Sequence, residues 1–594
     1  MPIYNAPLQD FRFLLHEYLD LEPCRGLESM AEATPDVIDA VLEEGARISE
    51  EVLQPLNVVG DVEGCQFDDG AVRLPRGFGE AWKVYTEGGW SGLTCDPEYG
   101  GQGLPGFVGL ALSEMINSAN ASFSAYPGLT HGAYEVIHHY GTPEQKQRFL
   151  PPMVEGRWSG TMNLTEPQCG TDLGLIRTRA EPQDDGSYRL HGTKIWITAG
   201  EHDLADNIVH LVLARTPDAP AGTRGISLFI VPKYRVDGDD GAGERNGVRC
   251  GSIEHKMGQN ASSTCEMIFE GAVGELIGEE NRGLACMFTM MNAARLVTGI
   301  QGLAMAAAAQ QNAAAFARER LQGRALTGAK YPDRPADPIL VHPDVRRMLL
   351  TSRALVEGCR ALGLYTGVQL ELERRHEDQA VRTEAGRWVA LMTPIIKAFF
   401  TDVGSEVANL GMQVHGGAGY VTDTGVEQFV RDVRITQIYE GTNGVQALDL
   451  VGRKLVADSG ATLKSFFDHA GGLLEKTTEP ELEEFTKPFK EALDRLQQTS
   501  AWIYGQMSRD PNEAGAASAD YLRMFALTAL AFTWTGQAAT AQRKMAAGDN
   551  SAFHQAKLDT ARFFMARVLP DTLALDARIR AGAGPIMDPV DEAF

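Results

Sequence analysis

The feature that most constrains this chain is a double change of texture along its length. Up to about residue 158, apolar residues recur at helical spacing, as in Ile38, Val41, Leu42, Ile48 and Val52. Thr34-Pro35-Asp36 precedes them as a helix start, with Thr suited to the N-cap and Pro to the first helical position. Near Gly160 the pattern switches to short alternating or β-branched runs at Tyr188–Thr198, 207–213 and 225–231, separated by Gly, Asp and Asn. Such runs predict an antiparallel sheet or a small barrel. Helical texture returns at Leu284 and persists to the end. The expected fold class is therefore mainly α with a middle β-domain. Its expected parts are an N-terminal helical domain at 1–158, the β-domain at 159–283, a second helical domain at 284–457 and an additional helical domain at 458–594. Four parts suit 594 residues at about 150 residues each.

Local signals refine this outline. A second helical stretch is expected from Phe107 to about Tyr140, and the Gly/Asp-rich segment from Val236 to Gly247 reads as a surface loop. Gly299, Gly302 and Ala306 within Met290 to Gln311 permit close helix packing, and 326–342, rich in Pro and Asp, reads as a loop. Thr393-Pro394 opens a further helix towards Gly411, and Phe525, Leu527, Leu530, Phe532 and Trp534 share one late helix.

Charge and cysteine usage exclude several functions. Lys plus Arg total 54 against 79 Asp plus Glu, a formal net charge of -25, which repels phosphate backbones and anionic lipid surfaces. Eight cysteines without a C-x-x-C pair argue for a reducing compartment and against a zinc ribbon or a disulfide framework. The first residues lack the basic and apolar regions of a signal peptide, and no apolar run reaches the ~18–20 residues that span a bilayer. A cytoplasmic protein without a membrane span, a metal site or a nucleic-acid partner is expected.

The common nucleotide and metal motifs are absent or out of context. Gly101 to Gly106 matches G-x-G-x-x-G, but turn-like residues precede it and Pro105 sits inside, so it reads as a loop. His415-Gly416-Gly417 has no G-x-S-x-G elbow to accompany it. Three other segments stand out. Met162-Asn-Leu-Thr-Glu-Pro-Gln-Cys-Gly-Thr-Asp172 combines a hydroxyl, a Pro bend and a Gly-Thr pair that expose backbone N–H groups. In Lys194-Ile-Trp-Ile-Thr198 the Trp and Thr, two apart on a strand, face one side. Glu440 follows Ile438-Tyr439 and precedes Gly441; a carboxylate in apolar surroundings gains a raised pKa and becomes a competent base near neutrality.

Thr165-Glu166-Pro167, Gly170-Thr171-Asp172, Lys194 to Thr198, Gln413 with Gly416 to Tyr420, and Ile438-Tyr439-Glu440-Gly441-Thr442 together resemble the acyl-CoA dehydrogenases, in that family's order. The resemblance covers about residues 35–455 and includes the Pro97 to Gly103 loop. The C-terminal extension is similar to a larger bacterial branch, whose substrates include 3-(methylthio)propanoyl-CoA. It implies a helical domain, a β-domain and a four-helix bundle with FAD held by the latter two. Met162, Leu164, Thr165, Gly170 and Thr171 are then expected to line the flavin, with Trp196 and Thr198 over its ring. The resemblance implies contacts across a dimer, with Arg320 on a phosphate of the neighbouring subunit's FAD and Gln413, Gly416 and Gly417 on its adenosine side, and Thr442 and Asn443 touching the cofactor again. Thr171, Asn292, Arg295 and Gly441 are the expected acyl-CoA contacts.

The resemblance also implies Glu440 as the catalytic base, because the alternative family position for that carboxylate is here Ala293 or Ala294. The implied reaction is α,β-dehydrogenation of an acyl-CoA to a trans-2-enoyl-CoA, with electrons passed to an acceptor such as electron-transfer flavoprotein. The first expected substrate is 3-(methylthio)propanoyl-CoA and the second a medium- or long-chain acyl-CoA. An acyl-CoA oxidase would use the same base. A DNA-binding relative of the fold would need a basic extension, whereas this one carries Glu479, Glu481, Glu483 and Glu484. A homo-oligomer is expected, a dimer before a tetramer.

Overall fold

The computed structural model describes residues 2–236 and 242–594. The chain gathers into two compact units that do not follow its order. One comprises Arg47–Leu104 and Ala119–Val297; the other comprises Met1–Ala46, Pro105–Ser118 and Thr298–Phe594.

The first unit is built on a seven-stranded sheet. Its order is Trp158–Asn163, Asn207–Ala214, Ser227–Pro232, Thr264–Ile277, Tyr188–Thr198 and Arg179–Pro182, with Val248–Ile253 also paired to Thr264–Ile277. The sheet is not wholly antiparallel as expected: Trp158–Asn163 runs parallel to Asn207–Ala214, with Thr161 opposite His210. Successive residues of a strand point to opposite faces, and here both faces are covered. Val209, Leu211 and Leu213 enter one core with Val136, Ile137 and Phe149 of the helices Ala121–Tyr140 and Pro143–Val154. Val212 and Ala214 enter another with Leu190 and Phe269. That is why every residue of Asn207–Ala214 is buried, His210 included, rather than every second one.

Three local expectations change in this unit and at its edges. The stretch expected from Phe107 to Tyr140 is two helices, Gly106–Ala119 and Ala121–Tyr140. Asn120 breaks it: its extended backbone lets the side chain accept the Phe123 N–H at 3.0 Å as an N-cap. The loop expected at 236–247 falls partly on 237–241, outside the described residues, but its flanks Tyr234–Val236 and Ala242–Arg245 pair as strands. A small hairpin, Gln66–Asp68 with Ala71–Arg73, also escaped sequence reading; Asp69 and Gly70 form its turn with φ of 44° and 84°.

The second unit is helical. Pro343–Arg375 and Gln379–His415 pack with the part of Gly283–Glu319 that lies beyond Thr298. The small residues bring backbones together: a Cβ on Gly302 would lie 2.7 Å from the Phe400 carbonyl oxygen. By length and hydropathy Gly283–Glu319 passes as long and apolar enough to cross a bilayer, contrary to expectation. Pro394 lies inside Gln379–His415 instead of opening a helix. Asp378 is the N-cap, accepting the Ala380 N–H at 2.7 Å, and the buried Ile395, Ile396, Phe399 and Phe400 outweigh the one backbone bond that Pro forfeits. Pro511–Ala546 carries the expected Phe525, Leu527, Leu530, Phe532 and Trp534, all buried. Trp534 Nε1 donates to the Ala354 carbonyl at 3.0 Å.

A buried charge cluster ties the sequence ends of this unit to its middle. Arg360 Nη1 donates to Asp10 at 2.6 Å and its Nε to Glu114 at 2.9 Å. Lys557 Nζ pairs with Asp10, with Glu357 at 2.8 Å and with the Gln537 side-chain oxygen at 3.0 Å. All eight cysteines are free thiols, and seven of them are buried.

Candidate active site

In the sheet unit, the chain leaves Trp158–Asn163 and turns through Leu164 to Asp172 against Tyr188–Thr198. The Ile195 N–H donates to the Thr165 carbonyl at 2.9 Å. Lys194 Nζ donates to the Leu164 carbonyl at 3.0 Å and to Glu166 at 2.8 Å. Glu166 also accepts from the Thr178 hydroxyl at 2.6 Å and from the N–H groups of Arg177 at 2.7 Å and Thr178 at 3.0 Å. Both partners are buried, Lys194 at 0% and Glu166 at 3% exposure. Burial opposes ionisation of Glu166, but Lys194 and these hydrogen bonds outweigh it and hold the carboxyl down at about 2.

That depressed value has a signed consequence. The folded pKa lies below the ordinary 4.5, so the stabilisation is present above pH 4.5 and is lost as pH falls towards 2. Glu166→Gln is expected to cost on the order of 3 kcal/mol at neutral pH and to flatten the acid limb of the urea midpoint plotted against pH. Parallel acid limbs for the two proteins would show that the pair contributes nothing.

Trp196 sits on a β-bulge. Cys265 pairs with Ile197 and Met267 with Lys194, so Ile195 and Trp196 together oppose Glu266. Trp196 takes the left-handed conformation, φ 59°, and its indole is 61% exposed, whereas Ile197 is buried and Thr198 half-buried. A large exposed aromatic held in a strained conformation marks a ligand surface more readily than a core position. The hydroxyls of Thr165, Thr171 and Thr198 have no hydrogen-bond partner among the described residues. Met162 is half-buried, Leu164 buried, and Gly170 and Thr171 are exposed. An apolar plate with unpartnered hydroxyls beside it fits a flat ring with polar edges, as FAD presents.

In the helical unit, Glu440 and Gly441 are two successive left-handed residues, φ 56° and 84°. Glu is rarely held there. Gln446, buried, donates its Nε2 to the carbonyls of Glu440 and Gly441, each at 3.3 Å. A Cβ at 441 would lie 2.6 Å from that nitrogen and would sit on a left-handed backbone, so Gly is favoured there. On one side Tyr439 donates its hydroxyl to Gln301. On the other, Asn443 accepts from Lys397 Nζ at 2.9 Å and donates to Asp402 at 2.8 Å and to the Ala398 carbonyl at 3.1 Å. The Asn443 amide is therefore committed inward, leaving only its backbone for a cofactor. The Thr442 hydroxyl caps Asn443–Asp449 by accepting the Val445 N–H at 3.3 Å. Glu440 itself is half-buried.

The remaining expected residues fall in two places. Gln413, in the last turn of Gln379–His415, and Gly416 and Gly417 just beyond it are exposed, and the His415 ring lies 4.5 Å from Phe316. Phe316 accepts the Arg320 N–H at 2.8 Å, so the turn and the exposed Arg320 share one end of the unit. Asn292 and Arg295 lie one helical turn apart, with Arg295 Nη1 donating to the Asn292 side-chain oxygen at 3.1 Å. Sequence reading assigned no role to Lys194 or Glu166, although both stood inside quoted motifs, and did not single out Gln301 or Gln446. Among the described residues no group of three or more His, Cys, Asp or Glu is placed to hold a metal.

Four family models match the chain in succession: acyl-CoA dehydrogenase N-terminal domain at 65–157, middle domain at 161–272, C-terminal domain at 281–455, and an acetyl-CoA dehydrogenase C-terminal-like model at 461–589. The chain belongs to the acyl-CoA dehydrogenase family, and it is an FAD-dependent oxidoreductase of acyl-CoA thioesters. It is 43% identical to the 3-methylmercaptopropionyl-CoA dehydrogenase of Ruegeria pomeroyi, over 97% of this chain and 98% of that one. Among solved structures the fold is similar to Caenorhabditis elegans ACDH-11 in complex with C11-CoA, with TM-score 0.80, 19% identity and coverage of 99% and 96%. It is also similar to a Bacillus anthracis acyl-CoA dehydrogenase complexed with FAD, with TM-score 0.72, 21% identity and coverage of 96% and 91%.

Proposed function

We propose that the chain oxidises 3-(methylthio)propanoyl-CoA to its trans-2-enoyl-CoA with Glu440 as the base. The single observation that carries the assignment is the pinned left-handed Glu440-Gly441 turn, fixed by Gln446 at its two carbonyls. A strained carboxylate held this firmly suits a base whose reach must be set before the substrate arrives.

The α-proton of a thioester is too weakly acidic for a carboxylate in water. The Glu440 N–H would donate to the thioester oxygen and stabilise the developing enolate, while the carboxylate takes the α-proton. FAD, when bound, supplies the acceptor for the β-hydride. Trp196 would cover the ring, and Met162, Leu164, Thr165, Gly170, Thr171 and Thr198 would line its edge. Arg320, Gln413, Gly416, Gly417 and Thr442 would hold the rest of the cofactor, with Asn443 contributing backbone alone. Arg295, with Asn292, Thr171 and Gly441, would contact the acyl-CoA.

The substrate assignment is supported by the 43% identity to the Ruegeria pomeroyi protein over nearly the full length. The chain is read as four successive pieces, 1–158, 159–283, 284–457 and 458–594. It is further read as a cytoplasmic homo-oligomer, a dimer before a tetramer, that passes electrons to electron-transfer flavoprotein. The test is a panel of acyl-CoA substrates with a dye acceptor. The 3-(methylthio)propanoyl thioester should show the highest kcat/KM; a maximum at medium or long chains would overturn the substrate and leave the reaction class standing.

A further inference from the structure

The loop expected at 326–342 is organised around one buried carboxylate. Asp337 is 0% exposed, and its two oxygens accept the N–H groups of Ala325 at 3.0 Å, Lys330 at 3.1 Å and Tyr331 at 2.9 Å. Arg324 Nη1 donates to the same carboxylate at 3.3 Å and to the Tyr331 carbonyl at 3.0 Å, while its Nη2 donates to the Arg334 carbonyl at 2.6 Å. The Arg334 guanidinium in turn lies 5.0 Å over the Tyr331 ring. Four donors on one carboxylate turn an irregular excursion into a fixed object.

The base of that object is Arg320. Ile339 N–H donates to the Arg320 carbonyl at 2.8 Å, Gln322 N–H to the Asp337 carbonyl at 2.9 Å, and Asp337 N–H to the Gly323 carbonyl at 2.9 Å. Asp337 thus closes a short backbone ladder whose first rung is Arg320. The Arg320 guanidinium makes no side-chain hydrogen bond or ion pair among the described residues and is exposed. Exposed Arg318, Lys330 and Arg334 share this stretch of sequence with the exposed Glu319 and Asp333, in a chain whose formal net charge is -25. An exposed guanidinium with no internal partner, carried on a rigid base, suits a doubly charged phosphate ester.

We infer that Asp337 is a positioning residue for the cofactor: by tying the Arg324 to Ala336 excursion down, it fixes Arg320 for the FAD diphosphate. The inference rests on the reading of Arg320 as a phosphate contact. Asp is required because its two acceptor oxygens meet four hydrogens, whereas Asn would turn an amide against backbone N–H groups.

The test titrates the apoprotein with FAD and, separately, with riboflavin, which lacks the diphosphate and the adenosine, following flavin fluorescence. Asp337→Asn is expected to weaken FAD about tenfold while riboflavin changes less than about twofold. Arg320→Ala should show the same split. An Arg320→Ala protein that binds FAD normally overturns the phosphate reading and the inference with it. Weakened FAD binding in Arg320→Ala but not in Asp337→Asn overturns the role of Asp337 alone. Equal losses for both flavins in Asp337→Asn assign it to stability and overturn positioning. Should Asp337→Asn fail to fold, Arg324→Gln, which leaves the three backbone bonds to Asp337, takes its place in the same comparison.

Discussion

Glu440→Gln is expected to keep its yellow FAD and its fold while turnover falls by about 10²–10⁴-fold. The substitution is isosteric, and the bonds that fix the position run from Gln446 to backbone carbonyls, which the variant retains. The left-handed strain is unchanged, since Gln adopts that region no more easily than Glu. Only the ability to accept a proton is removed. Dye reduction with acyl-CoA measures the loss, and flavin absorbance of the purified variant shows that the cofactor remains. Near-wild-type dye reduction would refute Glu440 as the base.

Lys557→Met should destabilise the protein by about 3–5 kcal/mol, seen as a lower urea midpoint for the helical unit. Lys557 is completely buried, and the faces of Phe13, Trp534 and Phe553 lie 5.3, 5.5 and 5.6 Å from its ammonium. Those rings shield it from water, so Asp10 and Glu357 are its main counterions and the attraction is barely screened. Methionine fills the space but leaves Asp10 and Glu357 with one cation fewer; Arg360 and Arg353 remain beside them. The penalty is that of buried carboxylates left under-compensated in charge rather than of a lost apolar contact. Pairing the change with Asp10→Asn should return part of the loss. An unchanged midpoint in the single variant would show that water reaches the cluster.

How much of this was legible in the sequence depends on the range of the interaction. The strand Tyr188–Thr198 is announced by its own composition, and the late helix with Phe525 to Trp534 by its own periodicity, because neighbours along the chain decide both. The hairpin at 66–73 was equally local: Asp69-Gly70 is a two-residue turn signal that the surrounding helical pattern masked. Thr393-Pro394 misleads for the opposite reason. It has the form of a helix start, but tertiary burial of the residues around it carries the helix straight through. The pairs that shape the site are distant in sequence. Lys194 meets Glu166 and Tyr439 meets Gln301 only after folding, and Asp337 reaches back to Ala325 across a loop with no periodicity. Motif reading found the segments that carry these residues, yet the partners became visible only as geometry.

The free thiols carry a practical corollary. Burial pushes Cys65, the one that is half-buried, up to about 11, and Cys24 up to about 12. The thiolate is the reactive form, so the native protein presents alkylating reagents with almost nothing to attack. A single cysteine engineered onto an exposed helix face would therefore accept a fluorophore or spin label selectively, without first stripping out the natural ones.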